Sequence, residues 1–330
     1  MNKLPKIHGS WRRVTLSLAS LLALSSPQFS LACDGPHHGP DAAGIVPANN
    51  LWFGAEDKSY GGLLEAEFHS VIDQIEKLYI PEVAAHNAEL KIIRDWNDGT
   101  VNAYAMREKD SIDAKIWQVK MFGGFARHPQ LSVDAFALVL CHELGHHLGG
   151  APKKLNHLGQ KRWASAEGQA DYWGAMKCFK KYASLVNNKE LIAEQNSRFY
   201  TNRTTHVSCA EQFSDEEEQA ICVRTAMAGK SLSNVFADLE KAKSPTYFNN
   251  PDNTVVNFTF LQHPWSQCRL DTFFQAALCT KNVNDTISDT DHKKGFCNEV
   301  ENHWVGQRPA CWFSINPDPP PKNNGWGYLI

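Results

Sequence analysis

From Asp134 to Gly150 the chain reads DAFALVLCHELGHHLGG, and no other stretch constrains the fold as strongly. Its first half, AFALVLC, is apolar nearly all the way round a helical wheel, and a helix without a polar face must be buried. The rest of the chain therefore has to be built around it. Signals at both ends define the helix. Ser132 stands as the N-cap, and Asp134 places negative charge in the first turn. Leu131 and Phe136 stand where a hydrophobic staple would close, and Gly149, Gly150 and Pro152 end the run. The last turns carry His142, Glu143, His146 and His147, polar side chains that need partners in a buried helix.

Around this helix the pattern predicts a mixed, mostly helical α+β chain. Apolar residues at helical spacing in LLEAEFHSVIDQIEKL predict a helix over Leu63–Leu78. The segments LKIIRDW and KIWQVKMF are rich in β-branched and aromatic residues and read as short strands, with VNAYAM extended between them. A second helix is expected from about Ser165 to Tyr182. Residues 185–245 read as a helical insertion with polar loops, and a further helix follows Pro264. Residues 33–60 form an irregular lead-in, and the end, NPDPPPKNNG, is an extended tail. With 330 residues, of which 42% are hydrophobic and 21% charged, one large domain over residues 33–330 can bury a sizeable core.

The first 32 residues are of another kind. Lys3, Lys6, Arg12 and Arg13 precede the apolar run VTLSLASLLAL, no acidic residue occurs before Asp34, and Ser30-Leu31-Ala32 offers small residues for cleavage. This is the pattern of a secretory signal peptide over residues 1–32. Its apolar run is short for a membrane span, and no later run reaches the necessary length. The chain is thus expected outside the cytoplasm, periplasmic or secreted. A lipid anchor on Cys33 is the less supported alternative, because Ser30 stands where that pattern has a large aliphatic residue. In an oxidising compartment the nine cysteines read mainly as disulfides. Nine is odd, and Cys141, inside the apolar helix, is the candidate for a buried free thiol. The formal net charge of −3 gives no basis for nucleic acid or an anionic membrane as partner.

The chemistry lies in the spacing of the histidines. Residues four apart on a helix share one face, so His142 and His146 can present two ring nitrogens to one ion, with Glu143 beside them to take a proton from a water. This is the H-E-x-x-H arrangement of zinc hydrolases. A histidine-rich amphipathic turn would give the same letters, but it would not be buried. A catalytic zinc needs a third protein ligand and one open position. A metzincin would place a histidine six residues after His146, where this chain has Pro152. The better third ligand is Glu167, in EGQADYWGA. Asp171, one turn further on the same face, is suited to accept a hydrogen bond from a ligand histidine and so fix its tautomer. Ala170 and Gly174 are small enough for this helix to pack close against the first.

In order and spacing, HELGH, then Glu167–Asp171 as ExxAD, then His263-Pro264 with Arg269 as HPxxxxR, resemble the M48 family of gluzincin metallopeptidases. VNAYA, Val101–Ala105, is similar to the NA-x-A segment that precedes the zinc helix there. The resemblance spans Asn102 to Thr272, about half of the chain. It implies a zincin-like fold, one zinc held by His142, His146 and Glu167, Glu143 as catalytic base, and a peptide or protein substrate. It also implies that an edge strand near Asn102 or in Lys115–Phe122 pairs with the substrate backbone. His263 is then the donor to the developing oxyanion or, alternatively, a helix cap before its proline. Arg269 is expected to pair with a carboxylate near the site. His147 and His157 are expected to face solvent or to lie just outside the metal. The many cysteines and the long 185–245 segment depart from the family pattern. Two functions are consistent with these features: an exported zinc endopeptidase, or a zinc-binding or chaperone-like protein whose site is shielded.

Overall fold

The apolar helix is α3 of the protein, and the other elements are arranged around it. The computed structural model describes residues 29–31 (backbone only), 44–46, 49–56, 61–108, 111–156, 158–194 and 202–316. In chain order these form β1 (Phe29–Leu31), α1 (Glu65–Ala85), β2 (Glu89–Asp95), β3 (Ala103–Glu108), β4 (Ile116–Phe122), the single turn α2 (Gly123–Ala126) and α3 (Val133–Leu148). A short hairpin follows, β5 (Lys153–Leu155) and β6 (Lys161–Ser165). Then α4 (Glu167–Trp173) runs through a π-helical segment, Gly174–Phe179, into α5 (Lys180–Ala183). The chain continues as α6 (Asn188–Glu194), α7 (Arg203–Gln212), α8 (Glu216–Leu239) and α9 (Ser266–Leu278). This is an α+β architecture, and among the described residues no helix is long and apolar enough to cross a membrane.

Every side chain of α3 from Asp134 to Leu148 is buried. Ser132 caps it as expected, its Oγ accepting from the Ala135 N–H at 3.1 Å. On one side α3 meets β3 and β4, and on the others α1, α4, the π segment and α8. The sheet has the order β1-β3-β4-β2, with β2 parallel to β4 and the other pairs antiparallel. β4 is therefore an interior strand, so Lys115–Phe122 offers no free edge for a substrate. Only β3 has an outer edge on the Asn102 side, and that edge is already paired. Phe29–Leu31 pairs with Met106–Glu108, and the Ile45 N–H donates to the Ala103 carbonyl at 3.1 Å. Phe29–Leu31 falls within the expected signal peptide, whose other residues lie outside the described residues.

α1 runs further than its apolar pattern suggests, to Ala85, with Pro81 inside it. Proline lacks the N–H that would bond to the carbonyl of Lys77. Both residues are on the exposed face, where water can take that carbonyl. α8 lies within the expected helical insertion over residues 185–245. It packs on α3 and α9, and Ala228, Leu232, Val235 and Phe236 join the main core. Asp134, in the first turn of α3, receives Arg224 of α8 in a two-pronged pair at 2.7 and 2.8 Å.

Among the described residues four disulfides close the chain: Cys141–Cys178, Cys209–Cys222, Cys268–Cys311 and Cys279–Cys297. They suit an oxidising environment outside the cytoplasm. Cys141 is thus not a free thiol. Its partner Cys178 comes from the π segment packed alongside, a pairing that sequence position does not reveal. Cys33 lies outside the described residues.

Candidate metal centre

His142 and His146 project from the last two turns of α3, their rings edge to face with centroids 4.8 Å apart. The Nδ1 atom of each ring is anchored. His142 Nδ1 donates to Asp171 Oδ1 at 2.7 Å, and His146 Nδ1 donates to the Ser165 carbonyl at 2.9 Å. Both Nε2 atoms are left as lone-pair donors pointing to one place, which is what a metal site requires of neutral imidazole.

Glu167 supplies the third donor at that place. The second helix begins at Glu167, not Ser165, because Ser165 closes the β5–β6 hairpin and Ala166 is held extended, its N–H donating to the Pro152 carbonyl. Glu167 therefore stands in the first turn of α4, where the helix dipole favours a carboxylate. Its Oε2 lies 3.3 Å from His142 Nε2, 3.6 Å from His146 Nε2 and 3.2 Å from His263 Nε2. The two helices approach closely through small residues. A Cβ on Gly145 would sit 2.7 Å from the Ala170 carbonyl oxygen, and one on Gly174 would sit 3.1 Å from the His142 nitrogen.

The donor atoms of His142, His146 and Glu167 all lie within 4.8 Å of one another, and the three residues can hold a metal ion. The fit is supported by what these atoms lack. Among the described residues, His142 Nε2, Glu167 Oε2 and both oxygens of Glu143 are buried without a hydrogen bond of good geometry. Buried polar atoms in a folded protein have partners, so a group of them facing one point indicates a missing one. Two imidazoles and a carboxylate are a donor set that suits zinc.

The electrostatics of the protein without an ion are those of a crowded buried site. Burial pushes the Glu143 carboxyl up to about 8. Burial drives His146 down to about 3. Burial also disfavours His142⁺, but the Asp171 carboxylate outweighs it and lifts that ring to about 9. Burial would raise Glu167, yet His263, Lys154 and His146 together hold it well below the usual carboxylate range.

Arg269 continues the network outward. It donates through Nε and Nη2 to the two Asp171 oxygens, both at 2.8 Å, and through Nη1 to the Ile45 carbonyl at 2.9 Å. A line of contacts therefore runs from the buried segment Gly44–Val46 through Arg269 and Asp171 to His142. A small hollow lined by Val46, Phe236, Leu239, Pro264 and Arg269 borders His263.

The structure thus brings His142, Glu143, His146, Glu167, Asp171, His263 and Arg269 into one centre. His147 lies apart from the metal donors and is buried, so of the two places expected for it, solvent or just outside the metal, the first is excluded. It stacks between Trp117 and Trp163 at 5.3 and 4.8 Å, accepts from Arg107 Nε and donates to the Gln118 carbonyl. His157 lies outside the described residues. Sequence reasoning missed Lys154, whose Nζ is 2.7 Å from Glu167 Oε1. The available signal was a lysine pair in the turn between the two site helices. Comparison with protein-family models, characterised proteins and solved structures finds no match to this chain.

Proposed function

We propose that this chain is an exported zinc endopeptidase with a zincin-like fold, similar to the M48 gluzincins. The observation that carries the reading is the convergence of His142, His146 and Glu167 with the unpartnered carboxylate of Glu143 beside them. A site that only held an ion for structure would have no use for a buried carboxylate with no partner, which costs stability. When bound, the ion supplies Lewis acidity toward a water and a peptide carbonyl. Asp171 fixes the tautomer of His142, and the Ser165 carbonyl fixes that of His146. Glu143 takes the proton of the attacking water and passes it to the leaving amine, in an environment that already favours its protonated form. His263, next to Glu167, is the donor for the developing negative charge on the substrate oxygen.

A second reading has its own observation. The side chains of His142, Glu143, His146 and Glu167 have no exposed surface, and Ile45 and Val46 hydrogen-bond to Ala103 and Asn102, along the edge where the resemblance places the substrate. A zinc-binding protein whose site stays shielded fits that closure. One experiment separates the two. Metal analysis of the purified protein is combined with cleavage of casein and a peptide library, with and without chelator. Chelator-sensitive cleavage abolished by Glu143→Gln supports the peptidase. Stoichiometric zinc without any cleavage supports the shielded protein.

A further inference from the structure

Two adjacent buried lysines, Lys153 and Lys154, follow the zinc-binding helix in β5 and take different partners. Lys153 donates to the Trp163 carbonyl at 3.1 Å and pairs with Asp289 at 2.7 Å. Lys154 turns inward. It is 2% exposed, and its Nζ lies 2.7 Å from Glu167 Oε1, its one polar contact among the described residues. Burying an ammonium costs several kcal/mol unless a counter-charge meets it, so this position is committed to that carboxylate. The two Glu167 oxygens are thereby given different tasks. Oε1 faces Lys154, while Oε2 alone faces His142, His146 and His263.

We infer that Lys154 is a positioning residue of the metal centre: by holding Oε1 it confines Glu167 to contact the ion through Oε2 alone. This deepens the zinc reading and rests on it. A carboxylate free of Lys154 can turn both oxygens toward the ion, which raises the donor number and occupies the position a working site keeps open. It also loses the partner that orients it, and partners of metal ligands typically contribute about 10–100-fold in metal affinity or activity. The hydrogen bonds of Arg269 go instead to Asp171 and the Ile45 carbonyl.

The test uses the full chain stripped of metal and titrated with Zn²⁺ or Co²⁺ alone. In the Lys154→Met variant we expect zinc affinity, measured against a competing chelator, to fall about 10–100-fold. The visible absorption of the cobalt form should weaken relative to wild type, as donors are added beyond four. Lys154→Arg, which keeps the charge and a donor, should restore both. If the methionine variant does not fold, Lys154→Gln carries the same two readouts. Wild-type zinc affinity together with an unchanged cobalt spectrum in the uncharged variant overturns the inference. A wild-type chain that takes up neither ion overturns the metal reading itself, so the two failures are distinct.

Discussion

Replacing Arg269 by methionine tests whether the outer carboxylate network is a working part of the centre. The guanidinium makes three short contacts, two at 2.8 Å to Asp171 and one at 2.9 Å to the Ile45 carbonyl, and it is 2% exposed. Its loss leaves Asp171 as a buried carboxylate with only His142 for a partner. Breaking one side of a buried ion pair costs roughly 3–5 kcal/mol. At about 2–4 °C per kcal/mol for a large domain, the melting temperature of the metal-free protein should fall by roughly 6–20 °C. Zinc affinity should fall as well, by about 10–100-fold, because Asp171 no longer holds the His142 ring against a fixed support. Thermal unfolding followed by circular dichroism gives the first quantity and chelator competition the second. The double variant Arg269→Met/Asp171→Leu separates them. Removing both charges should recover much of the stability, since apolar replacements of buried pairs are often neutral, while zinc affinity stays low. A single variant that melts within about 2 °C of wild type and binds zinc normally would refute the assignment of this pair to the site.

Three further outcomes are expected. Glu167→Ala should lose most of the zinc affinity, because two histidines leave the ion open to water; retention of one zinc per chain removes Glu167 from the ligand set. His263→Ala should lower hydrolysis by about 10²–10³-fold at unchanged zinc content, whereas a rise in activity would identify His263 as a blocking ligand. Glu143→Gln should keep zinc and abolish hydrolysis, and it should also change the pH dependence of the metal-free fold. The folded carboxyl titrates near 8, above its ordinary value of 4.5, so the folded state keeps a proton that the unfolded chain has released. Stability is then lost as pH rises through that window, and the glutamine variant should flatten this part of the unfolding profile; an unaltered profile argues against a buried Glu143.

What could be read from the sequence was what sequence separation encodes. His142 and His146 are placed by helical spacing alone, and so are Glu167 and Asp171, so the donors could be named once the two helices were recognised. The strands β2, β3 and β4 carry enough β-branched and aromatic residues to be seen, but their order does not follow from them. That is why β4 could be mistaken for an edge. The burial of His147 depends on Trp117 and Trp163 arriving from two different strands, and no periodicity joins those three residues. The β5–β6 hairpin is short, lysine-rich and without clear alternation, so neither it nor the inward turn of Lys154 was visible. Cysteine parity implies one leftover thiol, and the apolar helix around Cys141 singles that residue out, but neither signal says which cysteines pair.

The packing of the two site helices explains why so much chemistry was legible in so few residues. Glu167, Asp171, Gly174 and Cys178 follow one another at intervals of four, three and four, the spacing of a single helix face. All four meet α3. Glu167 lies beside His142 and His146, Asp171 holds His142, Gly174 admits the Cys141–His142 backbone, and Cys178 is bonded to Cys141. On α3 the facing residues are Cys141, His142, Gly145 and His146, again one stripe. The donors, the small residues that permit close approach and the covalent link therefore share one interface. A centre built on such an interface has its donor positions set by helix packing before any ion arrives. His263 is the exception, because it reaches the site from the loop before α9.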